Sequence, residues 1–424
     1  MYDTDALAIE AGVVALTTAA KDAARHLYAS SHAQRQAFLT HLADSLRIDA
    51  EGILAANARD MTAAKAKGVS QALLDRLFLD RKRLYAIADS LSDIALQTDP
   101  VGAVVEEWCR PNGLSFQAVR VPIGVIGIIY EARPNVTIDA AALCIKSGNA
   151  AVLRPGSESL CTALALYASI RKALVSAQLP EHAVQCLDTP DRAAVGALLR
   201  QDSTVDLIIP RGGRNLIERV KSDSRIPVLS HLDGLCHTYI DKAADPVKVL
   251  GVVLNAKMRR TGICGATETL LVHQDALHFL PPLLKALHQS GCELRGDNTV
   301  RELDPNVRIA VEEDWHMEYL APILSIKTVT NIDAAITHIN HYGSHHTDAI
   351  ITEDTAAAHK FLTHVDSGIV MVNTSTQFAD GGEFGFGAEI GIATGKLHAR
   401  GPVGARHLTT IQYRVQSDGA CRGQ

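Results

Sequence analysis

The chain has 424 residues, 47% of them apolar and 21% charged, with a formal net charge of −6. That length is too great for one ordinary core, so two or three domains are expected. An acidic balance without any dense Lys/Arg block excludes general attraction to nucleic acid, and no apolar run reaches membrane-spanning length, so neither nucleic acid nor membrane is an expected partner.

The N-terminal stretch "MYDTDALAIEAG" is acidic and lacks a signal-peptide charge pattern. Together with eight scattered cysteines and no CxxC pair, it predicts reduced thiols and a cytoplasmic location. The first hundred residues read as helices. Ser70 is placed to cap "SQALLDRLFL", with Leu73, Leu74 and Leu77 on one face, and Gly68 to end the helix before it.

From Val121 the period changes. "VPIGVIGII" is a continuous β-branched run, followed by helix-like "TIDAAALCIKSG", the strand "AAVLRP" and the long helix "ESLCTALALYASIRKALVSA". "AVQCLD", "DRAAVGALLRQ", "VDLIIP", "NLIERVKSD" and "PVLSHL" continue the strand–helix alternation. Such alternation predicts a parallel sheet with right-handed crossovers, which binds ligands beyond the carboxyl ends of its strands. A second α/β unit follows: "ETLLVH", a helix around "LPPLLKALHQSG", then "VRIAV", "ILSIKTV", "DAIIT" and "GIVMVN". After the glycine-rich loop "FADGGEFGFGAEIG" comes a lone strand, "LTTIQYRV", which must pair with something distant, another subunit being one option.

Three turns carry possible chemistry. In "IIPRGGRN", Gly212 and Gly213 with Arg211 and Arg214 make an anion nest at a helix N-terminus, the plain alternative being an ordinary glycine turn. In "LRPGSES", Arg154 and Ser157 follow the second parallel strand, where the adenosine ribose of a dinucleotide commonly lies. An arginine there suits a 2′-phosphate, hence NADP, although surface arginines are common. In "MRRTGICGAT", Cys264 sits between Gly262 and Gly265 and close to Lys257, Arg259 and Arg260. Cations lower a thiol pKa and glycines clear space, so the cysteine reads either as a nucleophile or as a free core thiol. Asn135 in "ARPNV" could hold an oxyanion, or be a turn asparagine. His231, His237, His345 and His346 fit no ligand spacing, so no metal is expected.

Taken in order, "VPIGVIGIIYEARPNVTIDAAALCIKSGNAAVLR", "IPRGGRNLIE", "NAKMRRTGICGATETLLV", "HTDAIIT" and "FGFGAEIGIATGKLHARGPVG" resemble the γ-glutamyl phosphate reductases, also called glutamate-5-semialdehyde dehydrogenases, a branch of the aldehyde dehydrogenase superfamily. The resemblance implies an α/β, aldehyde dehydrogenase-like fold. Its parts would be a Rossmann-like cofactor domain over 1–108 and 122–252, an α/β catalytic domain over 253–400, and a β-hairpin oligomerisation arm over 109–121 with 401–424. The arm would pair with the last strand, whose companion would be "GLSFQAVRV", to build a dimer or tetramer.

The same resemblance implies Cys264 as nucleophile, Asn135 as oxyanion donor, and Glu318, in "EYLAP", as the residue holding the nicotinamide ribose. Arg154, Ser157, Arg211, Gly212 and Gly213 would serve NADPH/NADP+, and Lys257 and Arg260 the anionic substrate. That substrate would be L-glutamyl 5-phosphate, reduced with NADPH on the way to proline, with glutamate 5-kinase as a possible partner. Two alternatives stand beside this reading. One is a hydrolytic NAD(P)-dependent semialdehyde dehydrogenase, which needs a carboxylate to activate water; the corresponding stretch "LSHLDGLCH" offers only Asp233. The other is a nucleotide-binding thiol protein without redox chemistry.

Overall fold

The computed structural model describes residues 4–422. They fall into two compact units. The first runs to Ser230 and takes in Gly385–Gly391 and the chain from Val403; the second is His231–Phe384 with Ile392–Pro402.

The first unit opens with helices α1 (Thr4–Tyr28), α2 (His32–Ile48), α3 (Ala50–Ala66), α4 (Gln71–Leu77) and α5 (Arg81–Leu96). Ser31 starts α2 with a capping box: its Oγ accepts from Gln34 N at 3.2 Å while Gln34 Oε1 accepts from Ser31 N at 3.0 Å. Ser70 caps α4 as expected, through Leu73 N. Strands β1 (Val104–Cys109) and β2 (Ser115–Pro122) form an antiparallel hairpin. Then come β3 (Val125–Tyr130), α6 (Pro134–Lys146), β4 (Ala150–Pro155), α7 (Leu160–Ser176), β5 (Val184–Cys186), α8 (Ala193–Leu199), β6 (Leu207–Arg211) and α9 (Arg214–Asp223).

Every residue of β3 and β4 is buried, the mark of a parallel sheet covered on both faces. Strand order is β5-β4-β3-β6, all parallel. The chain steps outward from β3 to β5 and then returns to the other side of β3, so the topological switch point lies between β3 and β6. "PVLSHL" is not a further strand. Val228 makes a single bridge to Ile208, and the unit ends at Ser230 rather than at the expected residue 252.

The second unit contains β7 (Cys236–Ile240), α10 (Pro246–Met258), β8 (Thr267–His273), α11 (Leu280–Gln289), β9 (Glu293–Gly296), α12 (Asn298–Leu303), β10 (Arg308–Ile309), β11 (Ile323–Val329), α13 (Ile332–Tyr342), β12 (Thr347–Ile351), α14 (Thr355–His364) and β13 (Ile369–Val372). Its seven parallel strands run β10-β9-β11-β8-β7-β12-β13. Successive strand residues face opposite ways. Leu270 and Val272 of β8 pack with Val249 and Val253 of α10 and Leu283, Leu284 and Leu287 of α11. Leu271 packs instead with Ala335, Ile336 and Ile339 of α13 and Phe361 of α14. A short antiparallel pair, β14 (Ile392–Ala393) and β15 (Gly401–Pro402), completes this unit.

The last strand, β16 (Thr409–Gln416), belongs to the first unit and lies antiparallel to β2, from Thr409 opposite Pro122 to Gln416 opposite Ser115. The companion anticipated from sequence is the one observed, and the pairing is made within the same chain. The three-stranded sheet β1-β2-β16 keeps β1 and β16 as its edges. No helix among the described residues is long and apolar enough to cross a membrane.

Candidate active site

Cys264 lies in the second unit, half-buried, in the turn between α10 and β8, where Ala266 N donates to Ile263 O at 3.0 Å. Its main chain is held from the neighbouring segment 234–236. The Cys236 thiol, pushed far up by burial and so protonated, donates to the Cys264 carbonyl at 3.1 Å. A Cβ on residue 234 would fall 2.2 Å from Cys264 O, 2.4 Å from its Cα and 2.5 Å from its Cβ, so only glycine fits there. The space-clearing role expected of Gly262 and Gly265 thus belongs to Gly234. A Cβ on Gly262 would stand in open space, and one on Gly265 would face the Thr376 carbonyl at 3.1 Å. On its apolar side Cys264 packs against a cluster that includes Ala349, Ile369, Met371 and Ile392.

Two histidines join the cysteine. The Sγ of Cys264 and one ring nitrogen each of His231 and His346 all lie within 4.8 Å of one another. Their spacing in sequence hid this, because three separate segments supply them. His237 and His345 are engaged elsewhere: His237 Nδ1 lies 2.9 Å from Asp348 in the buried interior, and His345 Nδ1 meets the Asp366 carbonyl.

The cations around the cysteine differ in kind. Lys257 is wholly buried and paired with buried Glu268, whose other oxygen accepts from Leu320 N at 3.2 Å. Burial pushes the Glu268 carboxyl up to about 7, against the downward pull of Lys257. Lys257 is therefore a structural counter-charge, not the surface cation for substrate that the sequence suggests. Lys257→Met is expected to leave Glu268 buried without its partner and to cost about 3–5 kcal/mol. Denaturant melts check this; a normally stable variant with only a raised KM would return the lysine to the substrate. Arg259 and Arg260 are exposed. The Arg260 main chain is fixed by Gln377 Nε2, which donates to Arg260 O at 3.3 Å and Ala256 O at 2.9 Å, leaving the Arg260 side chain at the surface. Glu318 accepts from Gly234 N at 2.9 Å, on the same glycine that makes room for Cys264.

In the first unit, the turn after β6 lies at the β3/β6 switch point. Glu131 N donates to Arg211 O at 3.0 Å, and Gly213 N donates to Glu131 Oε2 at 3.0 Å. The nest at the start of α9 accordingly holds an anion already, a carboxylate, and a Cβ on Gly212 would meet that carboxylate at 2.5 Å. This donor geometry fits a phosphate group of a dinucleotide. Ser157 is exposed, its hydroxyl 3.4 Å from Glu158 Oε2. Asn135, exposed in the first turn of α6 beside Pro134, donates to Asp139 at 2.9 Å. Burial pushes the Asp139 carboxyl up to about 6, while the Asn135 amide and Arg211 pull it down.

Arg154 departs from expectation. It is 7% exposed, and its guanidinium donates to the carbonyls of Pro155, Pro190 and Asp191 at 2.9, 3.2 and 3.3 Å. A guanidinium so committed braces the end of β4 against the loop before α8, and does not stand open to a 2′-phosphate. Arg154→Ala is expected to lower stability by about 1–3 kcal/mol, since one buried and two part-buried carbonyls lose their donor. It should reduce kcat/KM with NADPH and with NADH by the same factor. A loss confined to NADPH would restore the 2′-phosphate role.

The aldehyde dehydrogenase family model matches residues 6–301 and 299–392. Two curated relatives, both named γ-glutamyl phosphate reductase, are similar over nearly the full length. The Rhodospirillum rubrum protein is 56% identical, covering 95% of each chain, and that of Caulobacter vibrioides 55%, covering 95% of this chain and 98% of its own. The solved γ-glutamyl phosphate reductase of Thermotoga maritima superposes with a TM-score of 0.94 at 41% identity, covering 97% of this chain and all of the other. An acetylating aldehyde dehydrogenase from Geobacillus thermoglucosidasius shares the fold alone, with a TM-score of 0.70 at 18% identity. Motifs, topology and relatives converge: the chain belongs to the γ-glutamyl phosphate reductase branch of the aldehyde dehydrogenase family of oxidoreductases.

Proposed function

We propose that the chain reduces L-glutamyl 5-phosphate with NADPH to L-glutamate 5-semialdehyde and phosphate, a step of proline biosynthesis, through a thioester on Cys264. One observation carries this reading. In a chain 56% identical to a γ-glutamyl phosphate reductase, the half-buried Cys264 has its main chain fixed by Gly234 and Cys236.

In the proposed reaction the Cys264 thiolate attacks the acyl carbon, and the bond from that carbon to the phosphate oxygen breaks. Phosphate leaves as a stable anion and needs little acid assistance. Asn135 and the Cys264 main-chain N–H are the proposed donors to the oxyanion, and Arg260 the proposed attraction for the anionic substrate. Family membership implies a nicotinamide cofactor, and NADPH, when bound, supplies the hydride that turns the thioester into the aldehyde. Arg211, Gly212, Gly213 and Ser157 are the proposed contacts to that cofactor, and Glu318 to its nicotinamide ribose. Return of the electron pair to sulfur frees the thiolate for the next cycle.

The assay is direct. Purified protein given L-glutamyl 5-phosphate and NADPH should yield NADP+, phosphate and semialdehyde in equal amounts. No oxidation of NADPH under these conditions would leave the non-redox thiol reading standing. The proposed setting is cytoplasmic, downstream of a glutamate 5-kinase that supplies the acyl phosphate. A homo-oligomer, dimer or tetramer, is proposed through the free edges of the β1-β2-β16 sheet, where Val104, Val105, Ile411, Tyr413 and Val415 are exposed.

A further inference from the structure

Cys264, His231 and His346 form, among the described residues, a group whose ligand atoms lie within 4.8 Å of one another. The chemistry of the acyl-transfer step uses the thiolate alone, so the two imidazoles call for their own account. His231 Nδ1 lies 2.6 Å from the Ile392 carbonyl oxygen, which can only accept, so Nδ1 carries the proton and Nε2 the lone pair. The His346 ring is held through Nδ1, which lies 2.9 Å from Thr347 Oγ1 and 3.6 Å from Cys236 Sγ. The rings meet edge to face, with centroids 5.3 Å apart. Fixing an imidazole through one nitrogen with a carbonyl or hydroxyl is how a histidine is oriented to bind a metal through the other.

We infer that His231, Cys264 and His346 form a site for a thiophilic divalent cation, zinc above others, that masks the Cys264 thiol reversibly. Zinc takes sulfur at about 2.3 Å and imidazole nitrogen at about 2.0–2.1 Å, which places tetrahedral ligand atoms roughly 3.4–3.6 Å apart. Drawing the three atoms in from their present spread needs side-chain movements on the order of 1 Å. Cys264 is only half-buried, so the fourth position opens to water. Binding forms the S–Zn bond as the thiol proton passes to solvent, with no electron transfer. A cysteine masked in this way attacks neither acyl phosphate nor an oxidant. Cys236, buried and donating to the Cys264 carbonyl, stays outside the ligand set.

The test uses the full chain, reduced and stripped of metal. Titration with Co2+ should give a thiolate-to-cobalt charge-transfer band saturating at one equivalent, absent in Cys264→Ser and lost on adding Zn2+. One equivalent of Zn2+ should block alkylation of Cys264 by iodoacetamide, and EDTA should restore it. These readouts need only the thiol, so they stand or fall apart from the proposed acyl transfer. His231→Gln and His346→Gln should each weaken Co2+ binding by about tenfold or more. The partly exposed His231 carries the test if the substitution at buried His346 impairs folding. No charge-transfer band, or a band and affinity unchanged in His231→Gln, overturns the site.

Discussion

Cys264→Ala is expected to lose turnover by roughly 10⁴-fold or more while still binding NADPH. The nucleophile is gone, but of the proposed cofactor contacts Ser157, Arg211, Gly212 and Gly213 belong to the other compact unit, and Glu318 keeps its side chain. The reaction run backwards separates phosphate from water as the acceptor. With semialdehyde and NADP+, hydride removal leaves an acyl group on Cys264 that some nucleophile must release. In the proposed chemistry that nucleophile is inorganic phosphate, so phosphate-free wild-type protein should form about one NADPH per site and then stall. Phosphate should restore steady turnover. Continuous NADPH formation without phosphate, with glutamate as the product, would make water the acceptor and install the hydrolytic reading. Glu318 and Asp233, both in the same unit as Cys264, would then be the carboxylates to examine.

Gly234→Ala should also be damaging, although residue 234 bears no reactive group. Its new methyl would overlap the Cys264 main chain, with contacts of 2.2–2.5 Å to O, Cα and Cβ. Main-chain atoms cannot swing aside as a flexible side chain can, so the turn carrying the thiol must move by an ångström or so. Misplacement on that scale costs roughly 100-fold in rate, and the overpacking about 1–3 kcal/mol of stability. Gly262→Ala supplies the contrast: its methyl meets nothing within 4 Å, so rate and melting point should stay near wild type. Equal activity in the two variants would mean that the turn adapts, and that Gly234 does not hold the cysteine in place.

Much of the architecture could be read before any coordinates, because buried parallel strands leave largely apolar runs. "VPIGVIGII", "AAVLRP" and "VDLIIP" announced β3, β4 and β6 in this way. The unit boundary went astray for the converse reason. "PVLSHL" has a strand's composition yet makes only the Val228–Ile208 bridge. "CHTYI", polar in appearance, is an interior strand, since β7 pairs with both β8 and β12. In the site, Cys264 stood out because its neighbours are glycines and cations. His231, Gly234 and His346 did not, because their proximity to it is made by three strands' ends and has no trace in spacing. Lys257 misled because a lysine beside a cysteine reads as a surface cation. Only its pairing with Glu268, one turn and a strand start later, reveals that it is buried.

The β2–β16 pairing bears on how the chain comes off the ribosome. The strand that closes the second edge of β2 is made about 290 residues after it, roughly 15–60 s later at ordinary rates of synthesis. Until then the β1–β2 hairpin presents an open row of amides, a template on which nascent neighbours can pair. Full-length chains close that edge with their own last residues. Chains released early, short of Thr409, cannot, and they should be the fraction that aggregates.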